Sequence, residues 1–278
     1  MKAYDLAAAV DELVALCPEP AQLLSIQNGI GVEEIVAARF GPERVLAGTV
    51  TIPISHVAPH HLAVERSGRG LGIASVQTGR GVEAWVERFA AAGIHAGARP
   101  DYRAMKWSKA FLNIMGNASS AILNRPPAEL YRRSDLFDLE MRMLRETLAV
   151  MKRRDLAVIN LPGASARPLA RTLAYAPRFL RRIVFNQVIR HGRGDKMPSF
   201  HMDLVGGKGC SEVAFHNGAI AAAGRACGVP APVNAALNDV LLKLARGELD
   251  RAAYDGRPER LLADVGRYEE SADLGTKR

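Results

Sequence analysis

Lys109, Asn113 and Asn117 stand at four-residue intervals within residues 105–124. In a helix, four-residue steps drift by only about 40° each, so the three side chains would share one face. Beside them Trp107, Ala110, Phe111, Ile114, Met115 and Ala118 recur at three- and four-residue spacing, and this apolar stripe predicts the helix. Asparagine is a mediocre helix former, so two amides in register with a lysine ask for a reason. One reading is an ordinary solvated face. The other is a row of hydrogen-bond donors aimed into a polar cleft, with the lysine ammonium as a general acid.

Other polar positions invite the same question. Asn28 opens Asn28-Gly29-Ile30-Gly31, a turn between a predicted strand at 22–27 and a predicted helix at 32–40. Ligands of doubly wound sheets bind at the carboxyl ends of strands, where Asn28 lies; Asn-Gly is also simply good turn chemistry. Glu212 follows Ser211 and opens a predicted helix at 212–227, where a carboxylate offsets the helix dipole. Asn217-Gly218 within that helix is locally costly and suggests close packing or a polar site there. Residues 178–196 hold Arg178, Arg181, Arg182, Arg190 and Arg193. A basic helix can bind nucleic acid, yet Phe179, Leu180, Ile183, Val184 and Val188 predict a core face backed by a solvated or anion-attracting one.

Several motifs fail on inspection. Gly68-Arg69-Gly70-Leu71-Gly72 lacks the last glycine of a dinucleotide turn and reads as a hairpin, and Gly206-Gly207-Lys208-Gly209 has no Ser or Thr after its lysine. No G-x-G-x-x-G follows a strand. The seven histidines show no metal-ligand spacing; His60-His61 would face opposite sides of a strand, and His216 reads as packing or surface. No metal site is expected. Cys17, Cys210 and Cys227 show no metal or redox spacing, which suits thiols in a reducing cytoplasm.

The elements that must position these groups come in two kinds. A length of 278 residues suggests about two domains. No run of about 18 apolar residues suggests a membrane span, and the N-terminus has no basic region followed by an apolar core, so no secretion signal is expected. The formal net charge of +8 suits an anionic partner: nucleic acid, a phosphorylated cofactor or a carboxylate substrate. Up to residue 99 the chain alternates helix and strand, with helices at 5–16 (Asp5 as N-cap), 32–40 and 79–92. Strands are predicted at 22–27, 45–52 and 93–98, and 61–65 and 71–75 form a hairpin around Ser67–Gly70. After Arg99-Pro100-Asp101 helical periodicity dominates: 101–124, 135–155, 177–191, 212–227 and 233–246. From Asp250 a charged, frayed end is expected.

Together these pieces resemble the ketopantoate reductase (2-dehydropantoate 2-reductase) family. The residues that carry the resemblance are Lys2-Ala3-Tyr4-Asp5, Gln27-Asn28-Gly29-Ile30-Gly31, and Trp107-Ser108-Lys109 with Asn113 and Asn117. Further on come Pro198-Ser199-Phe200-His201-Met202-Asp203, Ser211-Glu212 with Asn217-Gly218, and Gly228-Val229-Pro230-Ala231-Pro232. The resemblance covers nearly the whole chain, in order. It implies α/β plus all-α architecture: a Rossmann-like NADP-binding part at residues 1–99, then a helical substrate and dimerisation domain of the 6-phosphogluconate dehydrogenase C-terminal type at 100–278. It implies a cytoplasmic enzyme that reduces 2-dehydropantoate, or a related 2-keto acid, with NADPH in a cleft between the two. It admits a homodimer and calls for neither nucleic acid nor membrane. Lys109 matches the proton donor. Asn113 and Asn117 match substrate-holding residues, and Ser199 one that binds the carboxylate. Asn28 matches a residue touching cofactor and substrate, Glu212 a carboxylate that helps order both, and Lys2 a lysine near the cofactor.

Four departures qualify the resemblance. The family opens with strand, glycine-rich turn and helix, and this sequence starts after them. The expectation is therefore an N-terminally truncated Rossmann-like domain or a true start upstream, with weak NADPH binding, an exposed sheet edge and poor stability. Pro127 stands where the family often has a substrate-binding Asn. The loop from Asp203 to Glu212 is one residue longer and glycine-rich. Ala214 replaces an acidic residue. A rival reading follows: a non-catalytic relative that binds a partner through its helical part.

Overall fold

Short apolar strands separated by glycine turns build a small sheet in the first part of the chain. The structure, a computed structural model, describes residues 1–64, 68–192 and 195–276. Its packing divides the chain into unit 1, Met1–Ala110 with Ala157–Arg167, and unit 2, Phe111–Leu156 with Pro168–Arg278. The sequence reading divides domains between residues 99 and 100; the packing division falls farther along, inside a helix.

Unit 1 runs α1 (Leu6–Leu16), β1 (Leu23–Ser25), α2 (Val32–Phe40), β2 (Val45–Val50), β3 (Ile54–Ala58), β4 (His61–Val64), β5 (Leu71–Ser75), α3 (Glu83–Ala91), β6 (Ala96–Ala98) and most of α4 (Tyr102–Ile114). The main sheet has the order β1-β2-β5-β6. The outer pairs are parallel and the central pair, β2 with β5, is antiparallel. Val45, Leu46 and Ala47 are all buried, as an unbroken apolar run requires of a strand covered on both faces. Leu46, Leu71, Ile73 and Val82 form one core, against which Trp85, Val86 and Phe89 of α3 pack. The segment at 157–167 returns to this unit. The Ile159 N–H donates to the Ser108 hydroxyl at 2.9 Å, and the Thr51 hydroxyl donates to the Pro162 carbonyl.

Two local expectations are corrected here. The hairpin expected around Ser67–Gly70 is formed instead by β3 and β4 across Pro59-His60, so His60 lies in a turn and not in a strand. Leu71-Gly72-Ile73-Ala74 is apolar on both faces and therefore joins the main sheet, whereas Leu62 and Val64 of β4 stay exposed. Glu65 and Ser67 of that expectation lie outside the described residues. Asp5 makes no side-chain cap; it ends a 3-10 turn, Ala3–Asp5, that leads directly into α1.

Unit 2 is helical: α5 (Ala118–Leu123), α6 (Pro127–Arg132), α7 (Ser134–Arg153), α8 (Ala166–Tyr175), α9 (Arg178–Gly192), α10 (Ser199–Val205), α11 (Asn217–Cys227), α12 (Pro232–Ala245) and α13 (Pro258–Thr276). α8 and α10 have no counterpart in the sequence reading. The stretch after Asp250 is not frayed, because Leu261 and Val265 of α13 are fully buried. The core face of α9 is Phe185 and Ile189, while Phe179, Leu180 and Ile183 are exposed. Two of its arginines bond within the unit. Arg178 pairs with Asp138 at 2.7 Å, and Arg182 donates to the Arg132 carbonyl at 2.9 Å. Arg193 lies outside the described residues.

Candidate functional site

The helix predicted for 101–124 is two helices. α4 ends at Ile114, and α5 starts at Ala118. Gly116 between them takes φ +62°, a left-handed conformation that glycine enters without strain. A Cβ there would meet Pro127 at 2.9 Å. Lys109 and Asn113 therefore share a face of α4, one turn apart, whereas Asn117 belongs to the turn and does not extend that row. The carboxylate of Glu140, itself buried, holds the turn. It accepts from the Gly116 N–H at 2.7 Å, from the Ser119 hydroxyl and from the Tyr131 hydroxyl at 3.0 Å.

From this turn Asn117 reaches α10. Its Nδ2 donates to the Ser199 hydroxyl at 3.3 Å and to the Asn113 carbonyl at 3.2 Å, and its Oδ1 accepts from the Phe200 N–H at 3.1 Å. Asn117 is buried and Ser199 exposed, so the amide fixes the backbone from which the hydroxyl projects. The same short helix bears Asp203, whose carboxylate accepts from the Glu212 N–H at 3.1 Å. Glu212 starts a 3-10 turn, Glu212–Phe215, capped by the Ser211 hydroxyl; it does not open one continuous helix to Cys227. Asn217-Gly218 consequently sits at the start of α11, where glycine costs little. The close packing expected there is present, since a Cβ on Gly218 would lie 2.5 Å from Asn238 Oδ1. His216 is buried with its ring tilted against Phe200, a packing role.

In unit 1 Asn28 is exposed just beyond β1, and Lys109 and Lys2 are half-buried. Two groups that sequence reasoning missed lie beside them. Lys106 and Glu33 form a buried ion pair at 2.7 Å. Burial pushes the Glu33 carboxyl up, and the Lys106 ammonium opposes that. Both residues sit in apolar helical register: Glu33 with Val36 and Phe40, Lys106 with Ala110. A charge at such a position signals a buried partner of opposite sign.

The residues present fit a nicotinamide cofactor in part. Asn28 offers a neutral amide at the carboxyl end of β1, and nothing lies within 4 Å of where a Cβ on Gly31 would be. That turn does not suit a pyrophosphate, because the exposed Glu34 occupies the first turn of α2 and Glu33 already takes the charge of the buried Lys106. Among the described residues no cluster of His, Cys, Asp or Glu could hold a metal ion. Among them, too, no helix is long and apolar enough to cross a membrane.

A Rossmann-like α/β unit followed by a helical unit defines the fold class, and sequence comparison gives the family. The model for the ketopantoate reductase PanE/ApbA C terminal matches residues 101–245, and that for ketopantoate reductase PanE/ApbA matches residues 1–71. The chain belongs to the ketopantoate reductase family. A 2-dehydropantoate 2-reductase of Archaeoglobus fulgidus is 28% identical over 251 residues, 89% of this chain and 74% of that one. A PanE/ApbA family ketopantoate reductase from Ralstonia eutropha JMP134 has a TM-score of 0.71 at 24% identity, covering 89% of this chain and 74% of that chain. D-mandelate dehydrogenase, solved with NADH and anilino(oxo)acetate, also reaches 0.71, at 18% identity over 89% of this chain and 75% of its own. These two structures show a shared fold.

Proposed function

We propose that this protein reduces 2-dehydropantoate, or a related 2-keto acid, with NADPH, using Lys109 as general acid. The observation that carries the reading is the assembly around α10. Asn117 and Ser199 are 82 residues apart in sequence, yet they meet at 3.3 Å, and Asp203 of the same helix holds Glu212. Three residues proposed to handle substrate or cofactor are thus set by one short helix, while Lys109 and Asn113 project from one face of α4.

The chemistry asks for these types. NADPH, when bound, supplies the hydride to the carbonyl carbon. Charge then develops on the carbonyl oxygen, and the Lys109 ammonium both stabilises it and delivers the proton. Asn113 holds the substrate by a neutral hydrogen bond, Asn117 acts on it through the Ser199 that it seats, and the exposed Ser199 hydroxyl donates to its carboxylate. Asn28 faces cofactor and substrate, Lys2 lies by the cofactor, and Glu212 orders both. In this reading residues 1–99 bind NADP and residues 100–278 bind substrate, in the cytoplasm. The similar ketopantoate reductase of Staphylococcus aureus is described as dimeric, and a homodimer belongs to the proposal. The test is NADPH oxidation across a panel of branched 2-keto acids that includes 2-dehydropantoate. Turnover with at least one is expected; NADPH left unconsumed across the panel would sink the reading.

A further inference from the structure

Lys106 is a buried cation that this reaction does not use. Its Nζ lies 2.7 Å from Glu33 Oε1, donates to the Gln27 carbonyl and sits 3.4 Å from the Gly48 carbonyl. A lysine ammonium has three donors, and here three acceptors come from three segments: the end of the β1 segment, the first turn of α2, and β2. The Gln27 carbonyl shares a planar trans peptide with the Asn28 N–H. Fixing that oxygen therefore fixes the N–H, which points the opposite way. The following turn contains Gly29 at φ +113° and Gly31 at φ +92°. Glycines leave such rotations sterically open, so something outside the turn must hold the peptide.

We propose that Lys106, seated by Glu33, is a positioning residue that latches the Gln27–Asn28 peptide, orienting Asn28 and anchoring α4, the helix of Lys109, to the same turn. Its effect on turnover rests on the reductase reading; the latch itself does not. Lys106→Met alone leaves the Glu33 carboxylate buried without its cation, so the informative variant is Lys106→Met/Glu33→Leu, which removes both charges and which folded proteins often tolerate. Lys106→Arg, which keeps the charge and moves the donors, is the second variant should the first not fold.

Hydrogen–deuterium exchange in the full chain reads the latch. In a folded variant, exchange across residues 27–31 is expected to rise about tenfold while β2 keeps its protection. Turnover of the 2-keto acid is expected to fall about 10²-fold, as for a misplacement of about 1 Å, with the unfolding midpoint of the double variant near that of the parent. Unchanged exchange at 27–31 overturns the latch, whatever the protein reduces. Raised exchange in the variant of a parent that consumes no NADPH supports the latch and sinks the reductase reading instead.

Discussion

Glu33 in unit 1 and Glu140 in unit 2 are both buried carboxylates at a backbone turn beside candidate site residues, and they are held differently. Glu33 meets the ammonium of Lys106, next to the turn of Asn28. Glu140 accepts from an N–H and two hydroxyls, next to the turn of Asn117. The first turn is fixed through opposite charge, while the second is tied by an N–H and two hydroxyls that converge on its carboxylate. The contrast teaches where each unit is fragile. Removing one partner of a buried ion pair strands a charge, which costs more than losing hydrogen bonds that water or a neighbour can partly replace.

The largest expected effect tests the charged side. Lys106→Met should destabilise the protein by about 3–5 kcal/mol, read as a lower urea midpoint. A shift of less than about 1 kcal/mol, the scale of exposed pairs, would break the comparison. At the second turn, Glu140→Leu leaves Gly116, Ser119 and Tyr131 without their acceptor and should cost about 3 kcal/mol, while Glu140→Gln should cost about 1 kcal/mol. The glutamine oxygen can still take the Gly116 N–H and the Tyr131 hydroxyl, and the Ser119 hydroxyl can turn to accept from the amide. Equal losses for the two variants would mean that charge matters at Glu140 as it does at Glu33.

Glu146 of α7 sharpens the contrast through pH. Its carboxylate accepts from the N–H groups of Val233 and Asn234 at the start of α12, yet burial outweighs those bonds and pushes its carboxyl up to about 7. The folded value lies above the unfolded one, so the folded state holds the proton more tightly. This contribution to stability is complete below the ordinary carboxyl value and is lost as pH rises to about 7. Relative to Glu146→Gln, the parent should lose unfolding free energy between about pH 4.5 and 7; parallel profiles would contradict the assignment. The smallest effect is expected at the exposed face of α9, where Phe179→Ser should change stability by no more than about 0.5 kcal/mol. A loss of several kcal/mol would restore the core role that periodicity assigns to Phe179.

The glycine turn after β1 marked the start of α2, and periodicity placed α7, α9 and α12 close to where they form, because each carries a long apolar repeat. It located Lys109 and Asn113 on one face for the same reason. It could not see the break at Gly116. Within an apolar helical pattern that glycine looks tolerated, and the carboxylate that holds the turn lies 24 residues on. α10 spans seven residues, too few for a periodic signal, so the meeting of Asn117 with Ser199 stayed hidden. The partners of β5 were misread because a local hairpin is the simplest pairing, whereas burial on both faces sends that strand to the central sheet. Lys106 and Glu33 were not singled out in the sequence, although their registers put both on apolar faces.

The most direct test of the central claim is a kinetic and binding comparison of the parent with Lys109→Ala, using NADPH and the best 2-keto acid of the panel. The account predicts that kcat falls by about 10²–10⁴-fold, the range for loss of a general acid, while the Kd for NADPH stays close to that of the parent. A Lys109→Ala protein that keeps its kcat, or that loses turnover and NADPH binding in equal measure, would contradict the assignment of Lys109 as the proton donor.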